Sequence, residues 1–525
     1  MRSIKNIIVL GGGTSGLISA LMLNAQFPNF KVTVIASKNI GVIGVGEGAT
    51  EHWRRFCDRI GVSIEDTIEA CGATLKSGIK FSGWGVPDYI HNTSDIVGKA
   101  YDDYFLVYAK IIAENRPVTD MSLLHVENST VRKLWVDNPG DFEMPVSQLH
   151  FNTFKTNDWM RSLCKERNIE IIDDTIKDVN LDNDGYIDTI SSETMLYKAD
   201  FYVDASGFSR ALIGKLGSQW TSYKDTLAVN AAIAFPTEDT DEYPIYTGAT
   251  AMDYGWMWNT PVQGRWGNGY VFCDKYIDFD QAQAEVEAKL GKKVEIAKKI
   301  KFDAGKIDRC WIKNCLAVGL SSSFIEPLES TAISQGIMQT FMFMNLIPSW
   351  INGQDEISNY YNSRVDYLSE NIRDFIAVHY ISPREDTAFW KDLKETRDQW
   401  IPQSLKDKLI KWKHRLPNNL ELDDFGLFTG DNWIHTLYAL QLFDLESIKH
   451  EYDAFPTYKK DMADKLFNYR YEELKEEFIP HKQAIQQYLP RWLEFKKRFA
   501  ESRELASYDK LMKIAQAMRD LECQV

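Results

Sequence analysis

Residues 4–16 read IKNIIVLGGGTSG, an apolar run that leads directly into a glycine-rich turn. The run at residues 4–10 predicts a short buried β-strand. Residues 17–26 predict a helix, and residues 31–35 predict a second strand rich in β-branched residues. A strand, a helix and a second strand with this spacing form the βαβ unit of a parallel sheet, so we expect an α/β fold.

The glycine turn has the spacing of a dinucleotide-binding fingerprint. Gly11, Gly13 and Gly16 fit G-x-G-x-x-G, in which glycines allow a tight turn and let the backbone approach a pyrophosphate at the helix N-terminus. Thr14 and Ser15 complete the predicted cofactor turn. The alternative is an ordinary turn between a strand and a helix.

The end of the second predicted strand departs from that fingerprint. An acidic residue usually stands there and holds the ribose hydroxyls, but this chain has Ile35, Ala36 and Ser37. Ser37 is therefore our candidate for the ribose contact. A serine at a strand end can equally be a turn residue.

Further segments extend the predicted architecture. The apolar runs at residues 201–203 and 315–318 each precede a tight turn and predict strands of the same sheet. Residues 230–235 and 256–272 predict antiparallel strands of a substrate-side sheet. From about Gln354 the chain becomes charged and helix-periodic, which predicts two regions, residues 1–350 and a mostly helical region at residues 351–525.

Composition excludes several classes of protein. Of 525 residues, 44% are hydrophobic and 26% charged, as in ordinary globular proteins. The net charge of −15 argues against nucleic acid as a partner. No apolar stretch resembles a signal peptide or membrane span, so we expect a cytoplasmic protein. The seven cysteines form no C-x-x-C pair, and we expect reduced thiols and no metal site.

Four segments, in this order, resemble the flavin-dependent tryptophan halogenase family over about residues 4–350. They are IGVGEGAT at residues 43–50, ATLKSGIKF at 73–81, GWMWNTP at 255–261 and FIEPLESTA at 324–332, with a weaker similarity in HYISPREDTAFW at 379–390. The family pattern has isoleucine where this chain has Thr260, and glycine where it has Ala332. The resemblance implies an FAD-binding, Rossmann-like three-layer domain with an antiparallel sheet and a helical C-terminal region.

The resemblance also implies an activity, in which reduced FAD and O2 oxidise a halide ion to hypohalous acid. Lys76 would hand the halogen to an electron-rich aromatic substrate, either by a hydrogen bond or as a haloamine, and Glu329 would assist. Ser330, Thr331 and Ala332 would bind the halide, while Trp256, Trp258 and Pro261 would separate substrate from flavin. The residues implied to contact the flavin are Gly46, Glu47, Ala49, Leu328 and Ile333.

Each of these residues has a simpler interpretation. In one extended strand Lys76 and Lys80 would share a solvated face. Glu329 could merely favour the N-terminus of the apolar helix predicted after it. Trp256 and Trp258 could be core aromatics.

Ala332 carries one further hypothesis. If that position needs a positive φ, alanine costs roughly 1 kcal/mol and its methyl group reshapes the halide site, which would favour bromide or iodide over chloride.

The sequence also predicts which partners the protein has. Only one dinucleotide fingerprint is present, so reduced FAD should come from a separate NAD(P)H-dependent flavin reductase. We expect a small indole- or phenol-like aromatic substrate and a homo-oligomer. Three alternatives stay open: a flavin-dependent aromatic monooxygenase, a flavin reductase, and a flavin-binding scaffold without activity.

Overall fold

Two β-sheets carry the fold in this computed structural model. The structure describes residues 2–41, 46–93, 101–141, 144–146, 148–422, 425–472 and 475–501. The predicted motif residues 43–45 lie outside these ranges, as does Cys523. The other six cysteines are buried free thiols: Cys57, Cys71, Cys164, Cys273, Cys310 and Cys315.

The strands, in chain order, are β1 (Asn6–Leu10), β2 (Lys31–Ile35), β3 (Thr74–Lys76), β4 (Gly78–Ser82), β5 (Tyr89–Asn92), β6 (Thr130–Arg132), β7 (Gln148–His150), β8 (Glu170–Ile172), β9 (Asp178–Leu181), β10 (Ile187–Ser191), β11 (Leu196–Tyr197), β12 (Phe201–Asp204), β13 (Trp220–Ser222), β14 (Ala231–Glu238), β15 (Tyr246–Ala251), β16 (Gly255–Val262), β17 (Arg265–Phe272), β18 (Lys298–Lys301), β19 (Gly305–Ile307), β20 (Trp311–Ile312), β21 (Cys315–Ala317), β22 (Ser323–Phe324) and β23 (Phe478–Pro480).

The α-helices, in chain order, are α1 (Thr14–Gln26), α2 (His52–Ile60), α3 (Asp66–Ala70), α4 (Tyr101–Ala113), α5 (Leu124–Glu127), α6 (Lys133–Asp137), α7 (Thr153–Glu166), α8 (Phe279–Leu290), α9 (Thr331–Ile351), α10 (Ile357–His379), α11 (Ala388–Glu395), α12 (Arg397–Trp400), α13 (Gln403–Trp412), α14 (Gly430–Ala439), α15 (Leu445–Asp453), α16 (Thr457–Glu472) and α17 (His481–Glu501).

The first sheet is the predicted dinucleotide sheet. Its strand order is β20-β21-β12-β1-β2-β8, and β1 pairs in parallel with both β2 and β12. After its first residue each of β1 and β2 is buried, because helices cover both faces of a parallel sheet. The predictions for residues 31–35, 201–203 and 315–318 are confirmed as β2, β12 and β21, within one residue.

The second sheet has the order β18-β14-β17-β16-β15-β4-β5. The predicted run at residues 256–272 is a hairpin of β16 and β17, which turns at Gly264 with a φ of 90°. Neighbouring strands are antiparallel except β4 and β15, which pair in parallel. That exception arises because β4 comes from a distant part of the chain, just after Lys76.

The described part of the chain after α9 is mostly helical, as predicted. One apolar cluster surrounds the first sheet, and a second fills the space between the second sheet and the helices from α10 to α15. The last helix, α17, returns to the first cluster, where Tyr488 stacks on Trp135 with ring centroids 3.8 Å apart. Among the described residues, no helix combines the length and apolar character needed to cross a membrane.

Candidate active site

A cavity of about 420 Å³ runs from the glycine turn after β1 to the beginning of α9. It brings together most of the predicted site residues. Those that line it are Gly11, Gly13, Thr14, Ser15, Ser37, Gly46, Glu47, Trp256, Trp258, Leu328, Glu329, Ser330, Thr331, Ala332 and Ile333. Four predicted residues are not in its wall: Gly16, Ala49, Lys76 and Pro261.

The glycine turn has the geometry that a pyrophosphate site requires. Gly11 has a φ of 123°, and a Cβ atom there would lie 2.1 Å from the carbonyl oxygen of Ala205. A Cβ atom at Gly16 would lie 2.0 Å from the carbonyl oxygen of Gly11, so this glycine allows α1 to pack on the turn. Gly13 faces open space and borders the cavity. The three positions therefore supply the turn, the open approach and the close packing.

The outer end of the cavity contains two residues that the sequence motifs did not indicate. The guanidinium of Arg161 donates to the carbonyl oxygen of Gly12 at 2.7 Å, which places a cation beside the turn. Asp174 lines the cavity together with Ser37. A carboxylate at this end can accept hydrogen bonds from ribose hydroxyls. Spacing could indicate neither residue, because both come from segments far from the fingerprint.

Ser37 itself has two roles. It borders the cavity, and its hydroxyl accepts a hydrogen bond from the backbone N–H of Asn39 at 3.3 Å. The turn interpretation is therefore correct, and it leaves the ribose contact as a prediction.

Gly46, Glu47 and Ala49 form the described end of the predicted flavin loop. Glu47 borders the cavity and forms a salt bridge with Arg265. Burial raises the pKa of the Glu47 carboxyl, and the hydrogen bond and charge of Arg265 oppose that rise. Ala49 is buried and donates its backbone N–H to the carbonyl oxygen of Leu149 at 2.9 Å, so it joins the loop to β7.

Lys76 lies at the end of β3 and is fully buried. The strand breaks at Ser77, after which β4 pairs with different neighbours, so Lys76 and Lys80 do not share a solvated face. Burial lowers the pKa of the Lys76 amine to about 8, although the charges of Glu329 and Glu51 oppose this. A Cβ atom built at Gly48 would lie 3.6 Å from Lys76 Nζ and 2.7 Å from Ser330 Oγ. Gly48 lines the cavity, so the Lys76 amine lies directly behind a residue of the cavity wall that has no side chain.

Glu329 is buried and borders the inner end of the cavity. Both of its carboxylate oxygens lie 3.0 Å from Nδ1 of His91, and Oε1 lies 3.2 Å from Nε2 of His379. Burial raises the pKa of the Glu329 carboxyl, but the two imidazoles outweigh it and hold that pKa well below its usual range. Glu329 is therefore a buried carboxylate between two imidazoles.

The second carboxyl of the same segment, Glu326, has a different environment. Trp256 Nε1 donates to it at 2.9 Å, and the Tyr380 hydroxyl donates to it at 2.8 Å. Burial raises the pKa of Glu326 to about 7, and these hydrogen bonds oppose the rise. The adjacent residues His379 and Tyr380 thus each contact one carboxyl, which explains why the weakly similar segment at 379–390 belongs to the site.

The two tryptophans of the GWMWNTP segment form one wall of the cavity. Trp256 and Trp258 are two residues apart on β16, so both side chains face the cavity, with ring centroids 6.3 Å apart. Trp258 fits against Gly269 on the neighbouring strand, where a side chain would collide with the indole. Pro261 is three residues after Trp258, so it points to the opposite face of the sheet, away from the cavity. Its carbonyl oxygen accepts a hydrogen bond from the Thr74 hydroxyl at 2.7 Å.

The segment before α9 contains two strained residues. Glu329 and Ser330 have φ values of 66° and 55°, in the left-handed region that non-glycine residues rarely adopt. Ser330 is the N-cap of α9, yet its side chain makes no capping hydrogen bond. The first backbone N–H groups of a helix have no partner within the helix, and here they begin at Thr331. Thr331 and Ala332 border the cavity and can present this helix end to a halide.

The conformational argument about Ala332 is wrong. Ala332 is the second residue of α9 and does not have a positive φ, because the reversal of the chain is completed by Glu329 and Ser330. Alanine therefore causes no backbone strain there. Its methyl group still borders the cavity.

The glycine turn, the opening at Gly13, the cation of Arg161 and the length of the cavity together fit a dinucleotide flavin. Sequence motifs indicated the glycines, Lys76 and Glu329. They placed His379 only at the start of the weakly similar segment at 379–390, without a role, and they did not indicate His91, since a single histidine in an apolar segment has no distinguishing spacing.

Comparison with known proteins agrees with this geometry. The family model described as tryptophan halogenase matches residues 6–455. The tryptophan 6-halogenase SttH of Streptomyces toxytricini is 28% identical over 452 residues, which cover 80% of this chain and 86% of SttH.

Two solved structures are similar over almost their whole length. The first is Tar14, a tryptophan C-6 flavin-dependent halogenase (chlorinase) from taromycin biosynthesis, with a TM-score of 0.82 and 26% identity over 92% of this chain and 99% of Tar14. The second is BrvH, a flavin-dependent halogenase from Brevundimonas sp. BAL3, with a TM-score of 0.77 and 26% identity over 92% of this chain and 99% of BrvH. The chain therefore belongs to the tryptophan halogenase family and is an enzyme of the flavin-dependent halogenase class.

Proposed function

We propose that this enzyme uses reduced FAD, O2 and a halide to halogenate an electron-rich aromatic compound, with Lys76 as the group that transfers the halogen. The observation that carries the proposal is the buried amine of Lys76 behind Gly48, next to the cavity that the flavin would occupy. A lysine in an apolar interior is costly, and catalysis is a common reason for retaining one.

When bound, reduced FAD would supply two of the four electrons that reduce O2, and the halide ion would supply the other two as it is oxidised to hypohalous acid. The chain's own residues position the reactants and keep water away from them. The glycine turn and Arg161 would hold the pyrophosphate, and the N-terminus of α9 would hold the halide at Thr331 and Ala332. Trp256 and Trp258 close one side of the cavity and exclude water from it.

Lys76 and Glu329 supply the polar groups of the transfer. With a pKa of about 8, the Lys76 amine is present in both protonation states near neutral pH. The charged form donates a hydrogen bond to hypohalous acid. The neutral form can attack its halogen, so that a nitrogen–halogen bond forms while the oxygen–halogen bond breaks, and the leaving hydroxide takes a proton from the amine nitrogen and departs as water. Glu329 remains ionised and can accept the proton that the aromatic ring releases.

We propose indole- or phenol-like compounds as substrates, since SttH and Tar14 are described as tryptophan halogenases. Bromide or iodide preference also stays a proposal, although Tar14 is described as a chlorinase. The proposed halide preference now depends only on the Ala332 methyl group. A halide that contacts this methyl group loses water from its hydration shell, and the free-energy cost of that loss is smaller for large, weakly hydrated halides. A separate flavin reductase, a cytoplasmic location, a homo-oligomer and regions divided at residue 350 remain predictions.

The test supplies FAD, a flavin reductase with NADH, and O2, together with chloride, bromide or iodide and a panel of indoles and phenols. Mass spectrometry should find halogenated product with the wild type and none with Lys76→Ala. Lys80→Ala, four residues further along the chain and only half-buried, is the matched control and should retain activity. Hydroxylated product at every halide concentration would instead identify an aromatic monooxygenase.

The halide proposal has its own test. Mixtures of chloride and bromide at equal concentration are offered to the wild type and to Ala332→Gly, and the ratio of products is measured. We expect bromide incorporation to fall relative to chloride in Ala332→Gly, and an unchanged ratio would remove the methyl group as the cause.

A further inference from the structure

We propose that Thr247 and Thr260 form a binding site for hypohalous acid in the cavity wall, where their two hydroxyl groups hold the oxygen of the acid and leave its halogen free. The identity of the ligand rests on the proposed function, because hypohalous acid is the oxidant of that reaction. The direction in which the Thr247 hydroxyl points rests on hydrogen-bond geometry alone. His150 would be a positioning residue, because it acts through Thr247.

Two neighbouring strands of the second sheet bring the two threonines together. Thr247 on β15 and Thr260 on β16 are both buried, and both border the cavity. Gly248 pairs with Asn259, so Thr247 and Thr260, the adjoining residue on each strand, lie next to one another. Trp258 is two residues before Thr260 and therefore shares its face of the sheet. The two hydroxyl groups thus form a polar point beside an aromatic wall.

A chain of buried hydrogen bonds determines where the proton of the Thr247 hydroxyl points. The Thr74 hydroxyl donates to the carbonyl oxygen of Pro261 at 2.7 Å, since a carbonyl oxygen only accepts. Thr74 Oγ1 lies 3.2 Å from Nδ1 of His150, and because its own proton is already used it can only accept from that nitrogen. His150 Nε2 lies 2.8 Å from Thr247 Oγ1. With the proton of a neutral His150 on Nδ1, Nε2 is the acceptor and Thr247 donates to it.

His150 is a neutral imidazole with its proton on Nδ1. The ring is fully buried, and burial lowers the pKa of His150 well below its usual range, an effect that the nearby Lys76 amine increases. A proton on Nε2 instead would leave an unprotonated Nδ1 facing the electron pairs of the Thr74 oxygen. The Thr247 proton is therefore directed at His150, and the Thr247 oxygen presents electron pairs to the cavity.

The Thr260 hydroxyl has no such constraint. Thr260 is 3% exposed, and within the part of the chain that the structure describes its hydroxyl makes no hydrogen bond. A buried hydroxyl that borders a cavity without a protein partner is available to a ligand. The tryptophan halogenase pattern has isoleucine at this position, so the second hydroxyl is a departure of this chain from the pattern.

Hypohalous acid fits these two groups better than a halide ion does. Its O–H group can donate to Thr247 Oγ1, and its oxygen can accept from the Thr260 hydroxyl. A halide ion has no proton to donate, and the electron pairs of Thr247 repel its charge. When the oxygen is held at two points, the halogen is the end that remains exposed. The site therefore favours the oxidised product over the halide from which it forms.

The two threonines lie close to the residues around Lys76. Gly48, which lines the cavity in front of the Lys76 amine, forms an isolated β-bridge with His150. The His150 side chain in turn contacts Thr247. Thr247 also lies opposite Ile79, three residues after Lys76, in the pairing of β15 with β4. Hypohalous acid at this site would therefore be held beside the part of the wall that covers the amine.

The first experiment tests the direction of the Thr247 hydroxyl in protein without flavin or halide. Protein labelled with ¹⁵N in its histidines is measured by NMR at pH 7. In Thr247→Val one unprotonated Nε2 loses its hydrogen-bond donor, so we expect its signal to move downfield. Thr250→Val makes the same change on the opposite face of β15 and should move no such signal. If Thr247→Val leaves every unprotonated Nε2 signal in place, the inferred direction is wrong.

The second experiment measures how well the enzyme retains hypohalous acid, with indole and bromide as substrates. A cyclic 1,3-diketone in solution traps the acid that escapes, and the ratio of trapped bromine to bromoindole is measured. In Thr247→Val and in Thr260→Val we expect this ratio to rise about three- to tenfold, the effect of losing one hydrogen bond, while KM for bromide and the affinity for FAD change less than about twofold. Thr247→Ser keeps the hydroxyl and should restore the wild-type ratio, and Thr250→Val is the matched control.

The outcomes separate this site from the proposed function. An unchanged ratio in the valine variants would overturn the site, and Thr260→Val carries the test if Thr247→Val does not fold. Weaker FAD binding by Thr247→Val but not by Thr250→Val would show that the hydroxyl holds the flavin instead. A wild type that gives neither bromoindole nor trapped hypobromous acid would contradict the proposed function and with it the ligand assigned here, whereas the NMR result tests the Thr247 hydroxyl independently.

Discussion

At the scale of the residue, Lys76 shows what the interior of this enzyme imposes on a charged group. The amine is buried completely, and burial lowers its pKa from 10.5 to about 8. A shift of this size corresponds to about 3 kcal/mol of stability that the protein forgoes below pH 8. Stability given up at one position for a reactive group is typical of active sites.

This leads to a prediction for Lys76→Met, which keeps the length of the side chain without its charge. The free energy of unfolding of the variant should be about 3 kcal/mol higher than that of the wild type at pH 7, while halogenated product is lost. Between pH 8 and 10.5 the unfolded lysine binds more protons than the folded one, so wild-type stability rises and the advantage of the variant should vanish.

Denaturant unfolding at pH 7 and pH 10 measures the difference. The matched control is Lys80→Met on β4, where the side chain is half-buried and little gain is expected. Equal stability of wild type and Lys76→Met at pH 7 would show that the buried amine carries no such cost.

At the scale of the element, the beginning of α9 is shaped by two consecutive left-handed residues, Glu329 and Ser330. This reversal turns the Glu329 carboxylate towards His91 and His379 and leaves the helix end open to the cavity. A regular helix start would have placed the carboxylate elsewhere. Under the proposed function, this strained backbone would hold the Glu329 carboxylate in place for catalysis.

The second prediction compares Ser330→Gly with Ala332→Gly. Glycine at the left-handed Ser330 should stabilise the protein by about 1 kcal/mol, whereas glycine at the helical Ala332 should destabilise it by up to about 1 kcal/mol. Thermal unfolding of both variants tests this. Stabilisation by Ala332→Gly would mean that the strain lies at residue 332 after all.

The third prediction concerns the glycine turn between β1 and α1. Gly11→Ala would drive a methyl group into the carbonyl of Ala205, so we expect a loss of several kcal/mol in stability without any cofactor. The methyl group of Gly13→Ala would have no protein atom within 4 Å, so this variant should fold like the wild type. Its affinity for FAD should fall roughly tenfold or more, because the methyl group blocks the approach of the pyrophosphate. Unfolding curves and fluorescence titration with FAD separate the two effects; unchanged FAD affinity of Gly13→Ala would place the pyrophosphate elsewhere.

At the scale of the whole molecule, the last helix supports the strand that carries Lys76. His481, the first residue of α17, accepts a hydrogen bond from the backbone N–H of Leu75 at 3.0 Å and contacts the carbonyl oxygen of Tyr243 at 3.2 Å. Burial lowers the pKa of His481 to about 4, so it is neutral and able to accept. A residue more than 400 positions away thus fixes the backbone next to Lys76.

The fourth prediction concerns this contact. His481→Ala would leave a buried N–H without an acceptor, and we expect a loss of about 1–3 kcal/mol and a fall in product formation. Below pH 6.5 the unfolded histidine binds a proton that the folded one does not, so the difference should shrink as the pH falls towards 4. Chemical unfolding at pH 7.5 and pH 5 tests the sign, with the exposed His450→Ala as control.

The sequence alone determined the βαβ unit, the sheet strands that come after it and the glycine turn, and its resemblance to the halogenase family made Lys76 and Glu329 candidates. These features depend on local periodicity and on short motifs, which are contiguous along the chain. For the same reason the sequence could not show that Pro261 faces away from the cavity until β16 was placed.

The tertiary structure alone decided which groups surround the carboxylate of Glu329. His91 and His379 come from β5 and α10, and only packing brings them beside this carboxylate. It also showed that the backbone strain expected at Ala332 lies at Glu329 and Ser330. Hydrogen bonds and burial act through space over a few ångströms, so protonation and backbone strain at this site are set by neighbours that are distant in the chain.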